Sequence, residues 1–218
     1  MDTLLPDFSQ ATFESEQPID NQYFPLIPGT VKSYQGEIND TEEDETTEAQ
    51  DDFFATESNQ VFVTYGTKDI SGVQTTVVRD VAWDEGVLVE DTLDWYAQDT
   101  AGNVWYLGEF ATNYEYDDQG DFIGTNTDGS WEAGVDGALP GYLMEANPQV
   151  GDNYYQEFYQ GEAEDQGEIV SLNESISIDL RNYENVLKTR DFTQLEPDVF
   201  ECKYYAPGVG QILADEGI

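Results

Sequence analysis

Apolar and polar residues alternate along most of this chain, in short runs closed by Gly, Asn, Asp and Pro. A period of two is the pattern of a strand with one buried face. Between Val73 and Asp84, the residues Val73, Val77, Val81 and Trp83 share one face, with Gln74, Thr76, Asp80 and Asp84 on the other. Between Val87 and Gln98, the set Val87, Val89, Leu93, Trp95 and Ala97 opposes Glu90, Thr92, Asp94 and Gln98. The apolar sets are expected to face the core. Arg79 and Asp91 each interrupt one of them. The hairpin turned at Asp84-Glu85-Gly86 would bring the two together as an ion pair.

The same reading predicts strands at Thr30–Ile38, Gln60–Thr67, Val104–Phe110 and Asn113–Tyr116, with a short one starting at Trp131. Later strands are predicted at Tyr154–Gln160, Glu168–Leu180, Tyr183–Arg190, Val199–Tyr205 and Gly210–Leu213. Hairpin signals fall at Asp99–Asn103 and Asp117–Asp121. Leu93–Gly141, with Trp95, Trp105 and Trp131, reads as the central strands of an antiparallel sheet. No segment carries a helical apolar stripe over three turns. The expected fold is all-β: one antiparallel domain of roughly ten strands, as a curved sheet, a sandwich or an open barrel.

Residues 1–29 break the pattern. Leu4, Leu5, Phe8 and Phe13 follow neither period, and Pro6, Pro18, Pro25 and Pro28 interrupt them. They predict an extended N-terminal arm ahead of a β domain over 30–218. The arm either lies on its own domain or adds a strand to a neighbouring subunit. Within the domain an acidic loop is expected over 39–58, because residues 40–52 hold eight acids and no base.

Charge sharpens the picture. The 218 residues include 47 acids, 7 bases and no histidine, a formal net charge of −40. Such a chain repels nucleic acid and anionic membrane surfaces, and cations are its natural counterparts. No run is long and apolar enough to insert in a membrane. Without histidine the common Ser-His and Cys-His arrangements are excluded. Cys202 is the only cysteine and sits in an apolar run, as a core residue would. Paired carboxylates could serve a hydrolase, but so many acids make any chosen pair uninformative.

Calcium, which accepts irregular sets of oxygen ligands, is the better chemical match. Three groups are candidates. Asp117, Asp118 and Asp121 with Asp128 form the first, although such Asp-Gly sequence also makes ordinary turns. Glu132 and Asp136 lie among glycines, where a tight turn beside Trp131 explains them equally well. Glu162, Glu164 and Asp165 form the third, or a solvated loop.

Five blocks occur in order: DWYAQD (94–99), GNVWYLGE (102–109), GSWEAGVDGALPG (129–141), QEFYQGEAED (156–165) and KYYAPGVG (203–210). Together they resemble a group of bacterial secreted proteins and lipoproteins without assigned function, over roughly residues 24–213. The last block resembles the closing hairpin of exported proteins with a half-barrel sheet. The resemblance implies an exported, non-enzymatic β domain at the cell surface or outside the cell, and it brings no catalytic residues. The chain departs from the group in its acidic insert at 40–52, its extreme charge and its lack of a lipid-anchor cysteine. The N-terminus has no basic and apolar leader, which fits either an intracellular protein or a processed form, and the resemblance implies the processed form. The leading expectation is a non-catalytic structural or interaction protein. Its acidic surface would be neutralised by cations, and it would self-associate into homo-oligomers, filaments or a surface layer through the arm. The alternatives are a lipid, pigment or sugar carrier and a carboxylate-based hydrolase.

Overall fold

The computed structural model describes residues 3–38 and 55–217. The chain is nearly all β. After a single 3-10 turn at Phe8–Gln10, the strands are β1 Val31–Ile38, β2 Ala55–Ile70, β3 Val73–Asp84, β4 Val87–Gln98 and β5 Val104–Tyr116. Then come β6 Phe122–Asn126, β7 Trp131–Glu132, β8 Leu139–Met144, β9 Asn153–Tyr155 and β10 Glu157–Phe158. The last four are β11 Asp165–Ile178, β12 Arg181–Thr193, β13 Phe200–Ala206 and β14 Gly210–Gly217.

They form two antiparallel sheets. The larger runs β1-β2-β3-β4-β5-β8-β10, with β6 and β7 also paired to β5, and it curls into a half-barrel. The smaller runs β14-β13-β12-β11-β9. The segment expected as one strand over Tyr154–Gln160 is therefore two. It pairs with β11 through Tyr155, then with β8 from Glu157, and so passes from one sheet to the other at Gln156. The crossing is close: a Cβ on Gly141 would overlap the backbone of Tyr155 and Gln156, so only glycine fits beneath it. The acidic loop expected over 39–58 is shorter at its C-terminal end, because Ala55 to Ser58 pair with Ile38 to Gln35 of β1. The run 40–52 lies outside the described residues.

Side chains from both sheets meet in one core. Trp105, Leu107 and Met144 of the larger sheet and Tyr154, Ile169, Leu187 and Tyr205 of the smaller are almost completely buried. Each contributes roughly 1.5–3 kcal/mol by leaving water. Trp105 packs edge-on against Tyr142, with ring centroids 4.5 Å apart. Cys202 is buried, in a second cluster with Val186, Tyr204 and Ile212.

The arm lies on its own domain. Leu4 pairs in parallel with Tyr154, its N–H donating to Asn153 O and its carbonyl accepting from Tyr155 N–H. Phe8 and Phe13 pack on Trp105, and Ile19 and Leu26 enter the core at 2% and 3% exposure. Gln98 locks the arm down: its Oε1 accepts from the N–H groups of Asp20 and Asn21, and its Nε2 donates to Asp20 Oδ1. Phe8 and Phe13 are thus used within the chain, whereas the side chains of Leu4 and Leu5 are 53% and 37% exposed.

One expectation, about β4, is reversed; in β3 the apolar Val73 and Val81 are buried as expected, at 8% and 3%, and Gln74 and Asp84 are exposed. The face turned toward the smaller sheet is the polar one. It holds Asp80, Glu90, Thr92, Asp94 and Gln98, of which Thr92, Asp94 and Gln98 are less than 10% exposed. Tyr34 and Asn59 lie on that face, and the Tyr34 hydroxyl donates to Gln211 O across the gap. Leu93 and Val87, on the face expected to be core, are 37% and 43% exposed. Trp95 on this outer face is buried beneath Lys68, whose Nζ stands 3.2 Å from the ring centroid and 2.7 Å from Glu132 Oε2. The expected Arg79–Asp91 pair is present there, with Nε 2.7 Å from Oδ1 and Nη2 2.5 Å from Oδ2.

Candidate functional site

The inner polar face, opposed by the smaller sheet, encloses a seam of carboxyl groups with one lysine. It starts at a bulge. The β4–β5 register shifts between Asp94 and Tyr96, so Asp94 stands opposite Glu109 and Tyr96 opposite Tyr106. The extra residue puts Tyr106 and Glu109, three positions apart, on the same face. Gly108 makes this possible with φ +135, where any Cβ would overlap Trp131 O and come within 2.9 Å of Glu132 Cα. The Tyr106 hydroxyl then lies 2.7 Å from Asp94 Oδ1 and 2.7 Å from Glu109 Oε2. A hydroxyl has one hydrogen to give, so the second contact requires a proton on a carboxyl group.

Burial raises these groups. It lifts Glu109 to about 7 against the hydrogen bond from Tyr106, and neighbouring Glu90 adds to the rise. Asp94 is pushed well above the ordinary carboxylate range by burial, with Glu109 and Asp80 adding repulsion. Asp80 is pushed up to about 6 by burial, although Asn59 donates to it and Lys203 lies across the gap. Glu157, 7% exposed, is raised by burial and by Asp165 and Glu109. Trp131 Nε1 lies close to its carboxyl but outside hydrogen-bond geometry.

A cleft of about 340 Å³ lies at the edge of the smaller sheet. Its walls include Gln156, Asp165, Asp191, Glu196, Glu201 and Lys203. Antiparallel pairing sets them there: Asp191 stands opposite Glu201 on β13 and Gly167 on β11, with Asp165 opposite Thr193. Lys203 Nζ is 3.2 Å from Asp191 Oδ2 and 3.2 Å from Glu201 Oε2. Burial disfavours the lysine's charge, but Asp191 and Glu201 outweigh it, so the ammonium stays charged well past its usual range. Gln156 Nε2 donates to the same Asp191 Oδ2 at 3.2 Å. Asp191 is 8% exposed, and its other oxygen, Oδ1, has no hydrogen-bond partner among the described residues. Asp165 is exposed at the rim of the cleft, where partial loss of water around its carboxyl raises it against the pull of Lys203.

A second cavity, of about 450 Å³, lies under the arm beside Ile19, Leu26, Thr67 and Gln74. Glu16 is the only charged residue lining it.

Of the candidate calcium ligands, the fold brings Asp165 alone to the cleft. Asp117 Oδ1 accepts from the N–H groups of Gln119 and Asp121, which closes the β5–β6 turn. Asp118 and Asp121 are exposed in that turn, and Asp128 is exposed in the next. Glu132 pairs with Lys68 on the outer face, and Asp136 sits in an exposed turn at φ 48. Glu162 is exposed, and Glu164 Oε1 accepts from Gly161 N–H. Among the described residues no three acidic side chains converge closely enough to hold a metal ion.

Asp94, Glu109, Glu157 and Asp191 were not legible as site residues. Glu90, Thr92 and Asp94 alternate with apolar residues and so read as a solvent face. Tyr96 was the available signal: a tyrosine within that polar set needs cover. A comparison of the chain with protein families, curated protein sequences and solved structures finds no match in any of the three.

Proposed function

We propose that this is a non-catalytic binding protein of the cell exterior that holds a positively charged ligand in the acidic cleft at the edge of its smaller sheet. The observation that carries the reading is the lining of the cleft, where Asp165, Asp191, Glu196 and Glu201 stand against one lysine, Lys203, which Asp191 and Glu201 already engage. The net charge of −40 draws cations toward the whole surface and raises their local concentration. The exterior location rests on the resemblance of the five sequence blocks to bacterial secreted proteins.

The hollow of the curved sheet is filled by Trp105, Leu107, Met144, Tyr154 and Tyr205, which favours the polar cleft over an apolar carrier pocket.

The test is thermal melting at constant ionic strength, with sodium replaced in turn by calcium and by organic ammonium ions. The wild type is compared with a D165N/E201Q variant. At least one cation is expected to raise the wild-type Tm more than the variant's. Equal shifts in both proteins would leave only general screening and defeat the proposal.

A further inference from the structure

We infer that β10 is a proton-operated catch at the edge of the larger sheet. It lies closed on β8 while the Glu157 carboxyl carries a proton, and it comes away from β8 when that proton is lost.

The fold puts an acid where only a neutral group is at ease. Glu157 is 7% exposed, and its Oε2 has no hydrogen-bond partner among the described residues. The indole of Trp131, on β7, lies close but out of line, so its Nε1 is unpartnered as well. Asp94 faces Glu157 from β4, Glu109 from β5 and Asp165 from β11. Asp80 and Glu90 stand behind Asp94. The Tyr106 hydroxyl is already spent on Asp94 and Glu109, and β8, with the sequence LPGYLM, brings no charge. Lys203 on β13 faces Asp80 and Asp165 but is held by Asp191 and Glu201. Among the described residues, Glu157, Asp94, Glu109 and Asp165 take part in no salt bridge. A charge on Glu157 is therefore buried, unpaired and surrounded by acids. A protein avoids that state by keeping the group neutral or by moving it into water. Burial and the same acids hold its pKa well above the carboxylate range.

The strand that carries Glu157 is weakly held. β10 is two residues long and pairs with β8 alone. Glu157 stands opposite Pro140, which has no N–H to give. The chain changes sheet at Gln156 on one side of β10. On the other it turns through Gly161, at φ 79, between Tyr159 and Ala163, which pair with each other. Departure of β10 leaves β9 paired to β11. Short edge pairings of this kind open at much lower cost than central strands.

Closed, Glu157 keeps its proton; open, in water, it ionises at about 4. Between the two values the closed form loses up to tenfold per pH unit relative to the open one. Ionisation of Glu109, raised to about 7, adds repulsion in the same direction. The catch is shut in acid and released as the medium turns alkaline.

The experiment is amide hydrogen exchange of the full chain at pH 5.5 and pH 8.5, corrected for the intrinsic pH dependence, in the wild type and in E157Q. Circular dichroism at both values establishes that the sheets persist. In the wild type, residues 139–141 and 157–158 are expected to lose at least tenfold in protection at pH 8.5, while β3, β4, β12 and β13 keep theirs. E157Q, which cannot ionise, is expected to stay protected at both values. An equal loss in E157Q would overturn the inference, because another group would then be the trigger. Unchanged protection of β10 in the wild type would also overturn it. So would a loss shared by all strands, which is the general self-repulsion of an acidic chain. The last two outcomes are read from the wild type alone and decide the matter even where E157Q does not fold.

Discussion

Asp94 and Glu109 face each other across β4 and β5, and a single hydroxyl, that of Tyr106, lies 2.7 Å from both. The cluster is stable only while it keeps a proton, so folding is linked to pH in an unusual direction. Glu109 is raised to about 7 and Asp80 to about 6 in the fold. In the unfolded chain both ionise near 4. Between these values the folded state binds more protons, so stability falls as pH rises from about 4 to 7 and is lower above that range. Each pKa unit corresponds to about 1.4 kcal/mol. Self-repulsion among 47 acids acts in the same direction. The expected outcome is a Tm about 5–10 °C higher at pH 5.5 than at pH 8. In E109Q, which carries a permanent donor in place of the proton, the slope should flatten. Calorimetry across that range checks it, kept above the sequence pI of about 4.1 so that the protein stays charged.

Gly108 is predicted to be irreplaceable. Its φ of +135 is closed to other residues, and Trp131 O occupies the space of a Cβ. G108A should cost about 3 kcal/mol, since backbone strain and a backbone clash add. It should also loosen the Asp94–Tyr106–Glu109 contact. Urea denaturation measures the first effect. Loss of the raised carboxyl titration, followed by NMR, measures the second.

Asp99 holds the β4–β5 hairpin. Its two oxygens accept from the N–H groups of Ala101 and Asn103, from Asn103 Nδ2 and from Trp105 Nε1, the last at 2.9 Å. D99A leaves all four donors unpaired, one of them on a tryptophan that is 1% exposed. A loss on the order of 3 kcal/mol is expected, because hydrogen bonds to a charged acceptor are the strong ones. D99N, which keeps an acceptor, should recover part of it. Chemical denaturation of the two variants gives the comparison.

The alternation of β3 and β4 marked both strands to the residue, since a hairpin with a two-residue turn leaves little freedom of register. The partition into two sheets was hidden because the chain changes sheet at Gln156 without a turn residue to mark it. Strands β6 and β8 were hidden because Gly124, Pro140 and Gly141 read as loop. The reversed facing of β4 had another cause. Periodicity separates two faces but does not say which is covered, and here Leu93 lies outside while Asp94 lies within. The carboxyl seam was lost among 47 acids, and only the pairing of strands shows that Asp94 and Glu109 stand together.

Removing the arm should not leave an intact domain. Ile19 and Leu26 belong to the main core, and Gln98 would lose the partners of its buried amide. I19A and L26A should each cost about 2–5 kcal/mol, as deletions in a packed core do. Deletion of residues 1–22 should lower the Tm by more than 10 °C, a large effect for a domain of this length. Differential scanning calorimetry distinguishes this from a dispensable tail, for which the Tm would not move.

The contact between Thr3 and Gln166 joins positions 163 apart, and Leu4 is bound beside Tyr154. These contacts of the arm thus wait on residues made long after it. A chain emerging N-terminus first, from a ribosome or through a pore, leaves this part of the arm without its partners until residues 153–166 have followed. Loops that long close slowly, so the molecule is expected to fold after release, as a whole and over milliseconds to seconds, and not piece by piece.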